Sequence, residues 1–210
     1  MSEHGNGRSD VGTPIHAPEL HANFDIVAVA SSAGGLAALT MLLASVPRDL
    51  PASLLVVQHL DPRHRSLMAE ILARRTPLVV KQAESGETAE PGTVYIAPPD
   101  KHLLANEDRT LSLTQTELVH FVRPSADLLF ESVAAAYRER AIAVVLTGSG
   151  SDGAMGVRAI KKMGGTVIAQ DEATSEYFAM PSAAIGTGDV DFVLPIADMA
   201  SALVSLVVAS

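Results

Sequence analysis

The chain has no cysteine, which removes disulfides, thiolate metal sites and a cysteine nucleophile from consideration. It has no tryptophan, and aromatics make up only 4% of its 210 residues. The core must therefore be aliphatic, built from Ala, Val, Leu and Ile, as in a parallel sheet buried on both faces. No block of basic residues stands out and the formal net charge is −9, so an extended phosphate-tracking surface, and with it a nucleic-acid partner, is not expected. No uncharged apolar run reaches bilayer length, so membrane insertion is not expected either. The N-terminal stretch MSEHGNGRSDVGTPIHAPELHA has no apolar segment of the kind that opens a secretory signal. These absences lead to the expectation of a soluble, cytoplasmic protein.

What is present is an alternation of short apolar runs with helical patterns. Residues 1–23 carry no apolar period and are expected to form a disordered tail, with one folded domain over 24–210. FDIVAVA, ASLLVVQ, LVVKQ, TVYIAP, AIAVVLT, TVIAQ and DFVLP have strand length and composition. Between them lie helical stretches: LAALTMLLASV before Pro47, SLMAEILARR before Pro77 with Ser66 as a cap, and LLFESVAAAYRER behind Ser125 as N-cap. In the last of these Asp127 complements the dipole of the first turn. AMGVRAIKKMGG, a short helix that Pro181 starts, and ADMASALVSLVV complete the set. HLLANEDRTLSLT reads as a hairpin. The pattern is α/β: a doubly wound, mostly parallel sheet with helices on both faces, right-handed crossovers and a small antiparallel hairpin.

Three strands each end on a side chain with chemistry to offer. Ser32 follows VAVAS, His59 follows LLVVQ, and Asp152 lies in the TGSGSDG turn after AVVL. Carboxyl ends of parallel strands gather along one edge, where ligands bind. A hydroxyl, an imidazole and a carboxylate delivered there are the parts of a nucleophilic hydrolase. Each also has a plainer reading. Ser32 or Ser31 can simply cap the helix that follows Gly34 and Gly35, and His59 can be a loop residue. His59, Asp61 and His64 could be offered as metal ligands, although their spacing matches no established pattern. Gly148, Gly150 and Gly153 spell G-x-G-x-x-G, with Asp171 ending the next strand, which makes a dinucleotide site the principal rival. That rival leaves Ser32 and His59 without a role. The GxSxG elbow and the Walker A lysine pattern are both absent.

The segments ASSAGGL, VVQHLDPRH, YIAPPDKHLL, RPSADLLFESVA, VLTGSGSDGAMGVRAIK, IAQDEATSEYFAMPSAAI and VDFVLP together resemble the catalytic domain of the CheB family, the protein-glutamate methylesterases of bacterial chemotaxis. The resemblance runs from about Phe24 to Leu206. It implies hydrolysis of glutamate γ-methyl esters on cytoplasmic helical signalling proteins, with release of methanol and in some members deamidation of receptor glutamines. It implies no metal and no organic cofactor. By motif, the family nucleophile falls on Ser32, its general base on His59 and its orienting acid on Asp152. Backbone N–H groups around Ala33 and the Ser149 loop are then the candidate oxyanion donors.

The chain departs from the family pattern in several places. Ala33 stands where Thr is common, Ser149 and Ser151 where Met and Asn are common, and FAMP replaces FGMP. With only a short segment before Phe24, no receiver domain is expected within the chain. A separate receiver or kinase partner would then replace it. A catalytically idle docking module of a sensory complex is the alternative from another functional class.

Overall fold

The computed structural model describes residues 23–59, 66–119 and 121–208. Residues 1–22 of the expected tail lie outside the described residues. Seven strands form one sheet: β1 (Ile26–Ser31), β2 (Ser53–Gln58), β3 (Val79–Gln82), β4 (Thr93–Ile96), β7 (Ala141–Val145), β8 (Thr166–Gln170) and β9 (Phe192–Leu194). Their order across the sheet is β3-β4-β2-β1-β7-β8-β9, and every neighbouring pair is parallel. A separate antiparallel pair, β5 (His102–Ala105) and β6 (Leu111–Thr114), is the expected hairpin. The expected α/β architecture is the one observed.

Alternation along the strands explains why both faces are covered. In β1, Val27 and Val29 face one apolar cluster while Ile26, Ala28 and Ala30 face the other, as the two-residue period of a strand requires. The first cluster is closed by α1 (Gly35–Ala44), α2 (Met68–Ala73) and α6 (Ile196–Val208), through Leu39, Leu42, Leu72 and Leu203. The second is closed by α3 (Ala126–Tyr137), α4 (Ala154–Lys162), α5 (Ala179–Ile185) and the hairpin, through Phe130, Val133, Ile160 and Leu103. With so few aromatics, Phe130 is the largest fully buried side chain.

The helix ends differ from the sequence reading in three details. α2 is shorter than SLMAEILARR: it starts at Met68, whose N–H donates to the Ser66 hydroxyl at 3.2 Å, and it stops at Ala73. α5 begins at Ala179, so Pro181 is its third residue. Proline is tolerated there because the first N–H groups of a helix have no intrahelical acceptor. Ser125 does cap α3, accepting from Leu128 N at 3.4 Å. Asp127, however, serves a neighbouring helix as well as its own first turn, as described below.

The chain runs outward from β1 through β2 and then returns to the other side of β1 as β7. The order of connection reverses beside β1, and such a point opens a crevice at the carboxyl ends of the strands. The register sets Ser31 opposite Gln58 at those ends. The next residues, Ser32 and His59, therefore emerge side by side.

Candidate active site

Ser32 leaves β1 in a tight turn. Its N–H donates to Thr147 O at 3.1 Å and its carbonyl accepts from Gly35 N at 2.9 Å. Gln58, buried at the end of β2, clasps this turn: its Nε2 donates to Ser32 O at 2.6 Å, while its Oε1 accepts from the Ser31 hydroxyl at 2.6 Å. The clasp needs Gly35, because a Cβ there would stand 2.0 Å from Gln58 Oε1. Gly34 takes φ +77°, a left-handed conformation that glycine adopts without strain. Ser31 is thus the turn's internal brace. Ser32 is the hydroxyl left over, with no hydrogen-bond partner among the described residues.

His59 follows Gln58 and is held by its own N–H, which donates to Ser31 O at 3.1 Å. Its Nε2 meets Asp152 Oδ2 at 2.8 Å. Its side chain is 14% exposed, whereas that of Asp152 is 4% exposed. Burial by itself pushes the Asp152 carboxyl up. Hydrogen bonds from His59, from the N–H groups of Ala126 and Asp127 and from the Ser125 hydroxyl outweigh it and hold the group below its ordinary value. Those bonds measure 2.6 Å from Ala126 N, 3.0 Å from Asp127 N and 2.9 Å from Ser125 Oγ. An ionised Asp152 requires the proton on Nε2 of His59, which leaves Nδ1 as the basic nitrogen.

The two oxyanion candidates both carry a spare donor. The N–H groups of Ala33 and Ser149 donate to no acceptor among the described residues. Ser149 is exposed, and the Gly148 before it packs so closely that a Cβ would lie 2.3 Å from Met180 Sδ and 2.9 Å from Ser32 Cβ. A cavity of about 950 Å³ opens on Ser32 between α1 and α2, with Leu36, Met41, Leu67 and Ile71 on its walls and Arg75 at its rim. It does not reach His59 or Asp152 among its walls, so it is an approach to Ser32 rather than the whole site.

The rival readings find less in the geometry. Asp61 and His64, invoked with His59 as metal ligands, lie outside the described residues. Among the described residues no three His, Cys, Asp or Glu side chains stand close enough to hold a metal ion. The Gly148–Gly153 turn carries Asp152 towards His59, and the Asp171 carboxylate is taken up by Thr174 N and Thr174 Oγ1 in its own loop. Ser125, Gln58 and His102, which build the surroundings of the three candidates, were not singled out from the sequence as site residues. Ser125 was legible only as a cap.

An open parallel sheet with a histidine–aspartate pair and an uncommitted serine at adjoining strand ends is an arrangement of the hydrolase kind. A family model, CheB methylesterase, matches residues 27–203, and the chain belongs to that family. It is 39% identical over 199 residues to a protein-glutamate methylesterase/protein-glutamine glutaminase of Rhizobium meliloti, covering 95% of this chain and 56% of that one. A putative enzyme of the same name from Leptospira interrogans is 38% identical over 184 residues, covering 88% of this chain and 95% of the relative. Against the Rhizobium protein the chain thus spans little more than half the length. The crystal structure of the Thermotoga maritima CheB methylesterase catalytic domain superimposes with a TM-score of 0.84 at 40% identity, covering 88% of this chain and 99% of that one. Among the described residues no helix is long and apolar enough to cross a membrane.

Proposed function

We propose that the chain hydrolyses glutamate γ-methyl esters on helical signalling proteins of the chemoreceptor type in the cytoplasm, releasing methanol. Ser32 Oγ attacks the ester carbonyl while His59 Nδ1 takes its proton, and Asp152 steadies the imidazolium through Nε2. The tetrahedral oxyanion draws on the N–H groups of Ala33 and Ser149. Collapse expels methoxide, which leaves as methanol with the proton from His59, and a glutamyl ester remains on Ser32. His59 then takes a proton from water, the hydroxide attacks the acyl-enzyme, and the product glutamate departs as Ser32 recovers its proton. A side-chain amide in place of the ester releases ammonia by the same steps, so glutamine deamidation is within reach of the same site.

The observation that carries this reading is the 2.8 Å contact between His59 Nε2 and Asp152 Oδ2, made beside a serine whose hydroxyl is otherwise uncommitted. The names of the relatives agree with it. The test is methanol release from a methylated receptor fragment, with Ser32→Ala as the comparison. Loss of turnover by orders of magnitude supports the assignment, and unchanged turnover removes it.

A further inference from the structure

Behind Asp152 lies a second layer of polar groups that the chemistry above does not use. His102, at the start of β5, is fully buried. Its Nδ1 accepts from Ser125 N at 3.1 Å, and its Nε2 faces the carbonyl of Glu117 at 3.1 Å. A ring nitrogen that accepts an N–H carries no proton, so His102 is neutral and donates from Nε2. Ser125, also fully buried, passes the connection on: its hydroxyl donates to Asp152 Oδ1 at 2.9 Å. The adjoining N–H groups of α3, from Ala126 and Asp127, close on Oδ2 and Oδ1 of the same carboxylate.

These bonds account for every donor at the start of α3. The first N–H groups of a helix need partners outside it. Here Ser125 N goes to His102, Ala126 N and Asp127 N to Asp152, and Leu128 N returns to the Ser125 hydroxyl. Hairpin, helix and carboxylate are thus one bonded unit. His102, Ser125, Ala126, Asp127 and Asp152 are all buried within it.

We propose that His102 and Ser125 are positioning residues for Asp152: His102 fixes the start of α3, and Ser125 with the two α3 N–H groups turns the carboxylate so that Oδ2 faces His59. This rests on the hydrolase reading for its kinetic consequence, but its structural content does not. Without Ser125 Oγ, the Asp152 charge is shared among fewer donors and binds the His59 proton more tightly. Without an acceptor at His102, the Ser125 N–H is buried with no partner and the cap must shift to find one.

The experiment uses the full chain and four variants: Ser125→Ala, His102→Leu, His102→Asn and the Leu/Ala double substitution. Asparagine places an acceptor near the Nδ1 position, whereas leucine keeps bulk without one. Two readouts are taken: kcat and KM for methanol release from a methylated receptor fragment, and the NMR titration of the His59 ring. Ser125→Ala and His102→Leu are expected to lower kcat roughly tenfold or more, with KM held within about twofold. Both should move the His59 titration to higher pH. His102→Asn should restore most of the loss, and the double variant should be no worse than the poorer single one.

If Ser125→Ala leaves both kcat and the His59 titration as in the parent, the proposal is overturned. An asparagine variant as impaired as the leucine one overturns the acceptor role of His102. Multiplying losses in the double variant would overturn the linkage between the two residues. Should His102→Leu fail to fold, Ser125→Ala and His102→Asn still decide. Should Ser32→Ala retain turnover, the hydrolase reading fails by itself, and the His59 titration continues to judge the positioning.

Discussion

Asp127 and Asp152 exchange helix ends. Asp152, just before α4, gives its carboxylate to the N–H groups of Ala126 and Asp127 at the start of α3. Asp127, in the first turn of α3, gives Oδ1 to Gly153 N at 2.9 Å and Gly156 N at 2.8 Å at the start of α4. Each helix N-terminus thus holds an anion supplied by the other's segment, as partial positive charge and free donors there favour. The two helices approach closely because Gly156 lacks a side chain: a Cβ there would lie 2.5 Å from Phe130 Cβ.

Asp127→Ala leaves two buried N–H groups without their charged acceptor. Hydrogen bonds to charged groups contribute about 1.5–3 kcal/mol each, so a loss of about 3 kcal/mol in unfolding free energy is expected. Urea denaturation measures it, and a change below about 0.5 kcal/mol would remove the exchange as a stabilising feature.

Asp152→Asn keeps the shape of the site and alters its charge. Asn offers an N–H where the α3 donors need an acceptor, and it cannot steady an imidazolium. A fall of roughly 10³–10⁴-fold in kcat is expected, with folding intact by circular dichroism. Activity within about tenfold of the parent would contradict the role given to Asp152.

The same residue governs part of the response to acid. Its carboxyl is held below the ordinary value of 3.8 in the folded chain. The ionised form therefore stabilises the fold above the unfolded pKa, and that contribution disappears as pH falls through the lower folded value. Asp152→Asn should flatten the decline of stability below about pH 4. Thermal melts from pH 6 to pH 2 compare the two slopes, and parallel curves would count against it.

Gly35→Ala tests the clasp under Ser32. The new methyl would meet Gln58 Oε1 at 2.0 Å, so Gln58 must give up Ser31 or the Ser32 carbonyl. Overpacking of this kind costs about 1–3 kcal/mol. Turnover should fall with it, because the turn that presents Ser32 moves. Thermal denaturation and the methanol assay read the two effects separately, and an unaltered protein by both would show that the clasp is dispensable.

The parts of this molecule that could be read from the chain are those written in consecutive residues. Apolar runs such as LLVVQ announce parallel strands, and a polar residue at the end of each, Ser32, His59 or the Asp152 turn, announces the edge where they meet. Asp127 illustrates what could not be read. As a first-turn acid it has the same local signature whether or not a second helix starts nearby, and Gly153 and Gly156 are 26 and 29 residues away. His102 sits at an inward position of a hairpin strand, where alternation explains it fully. Only the packing of the hairpin on α3 brings its ring against Ser125. Gln58 was visible as the last residue of a strand, but its grip on Ser32 depends on the register between β1 and β2. α2 fell short because nothing local marks Ala73 as its end; Pro77 is a stop several residues further on.

Asn23 N–H donates to Val207 O, and Asp25, immediately before β1, pairs with Arg140, immediately before β7. Both ends of the described chain therefore meet at the rim where the strands begin, while Ser32 stands at the rim where they finish. Six residues of β1 separate the two rims, a depth of roughly 20 Å. A reporter or surface anchor attached beside Asn23 or Val207 would hold the molecule by its base and leave the Ser32 face turned outward. For measurements on the immobilised protein, orientation is thus built into the topology.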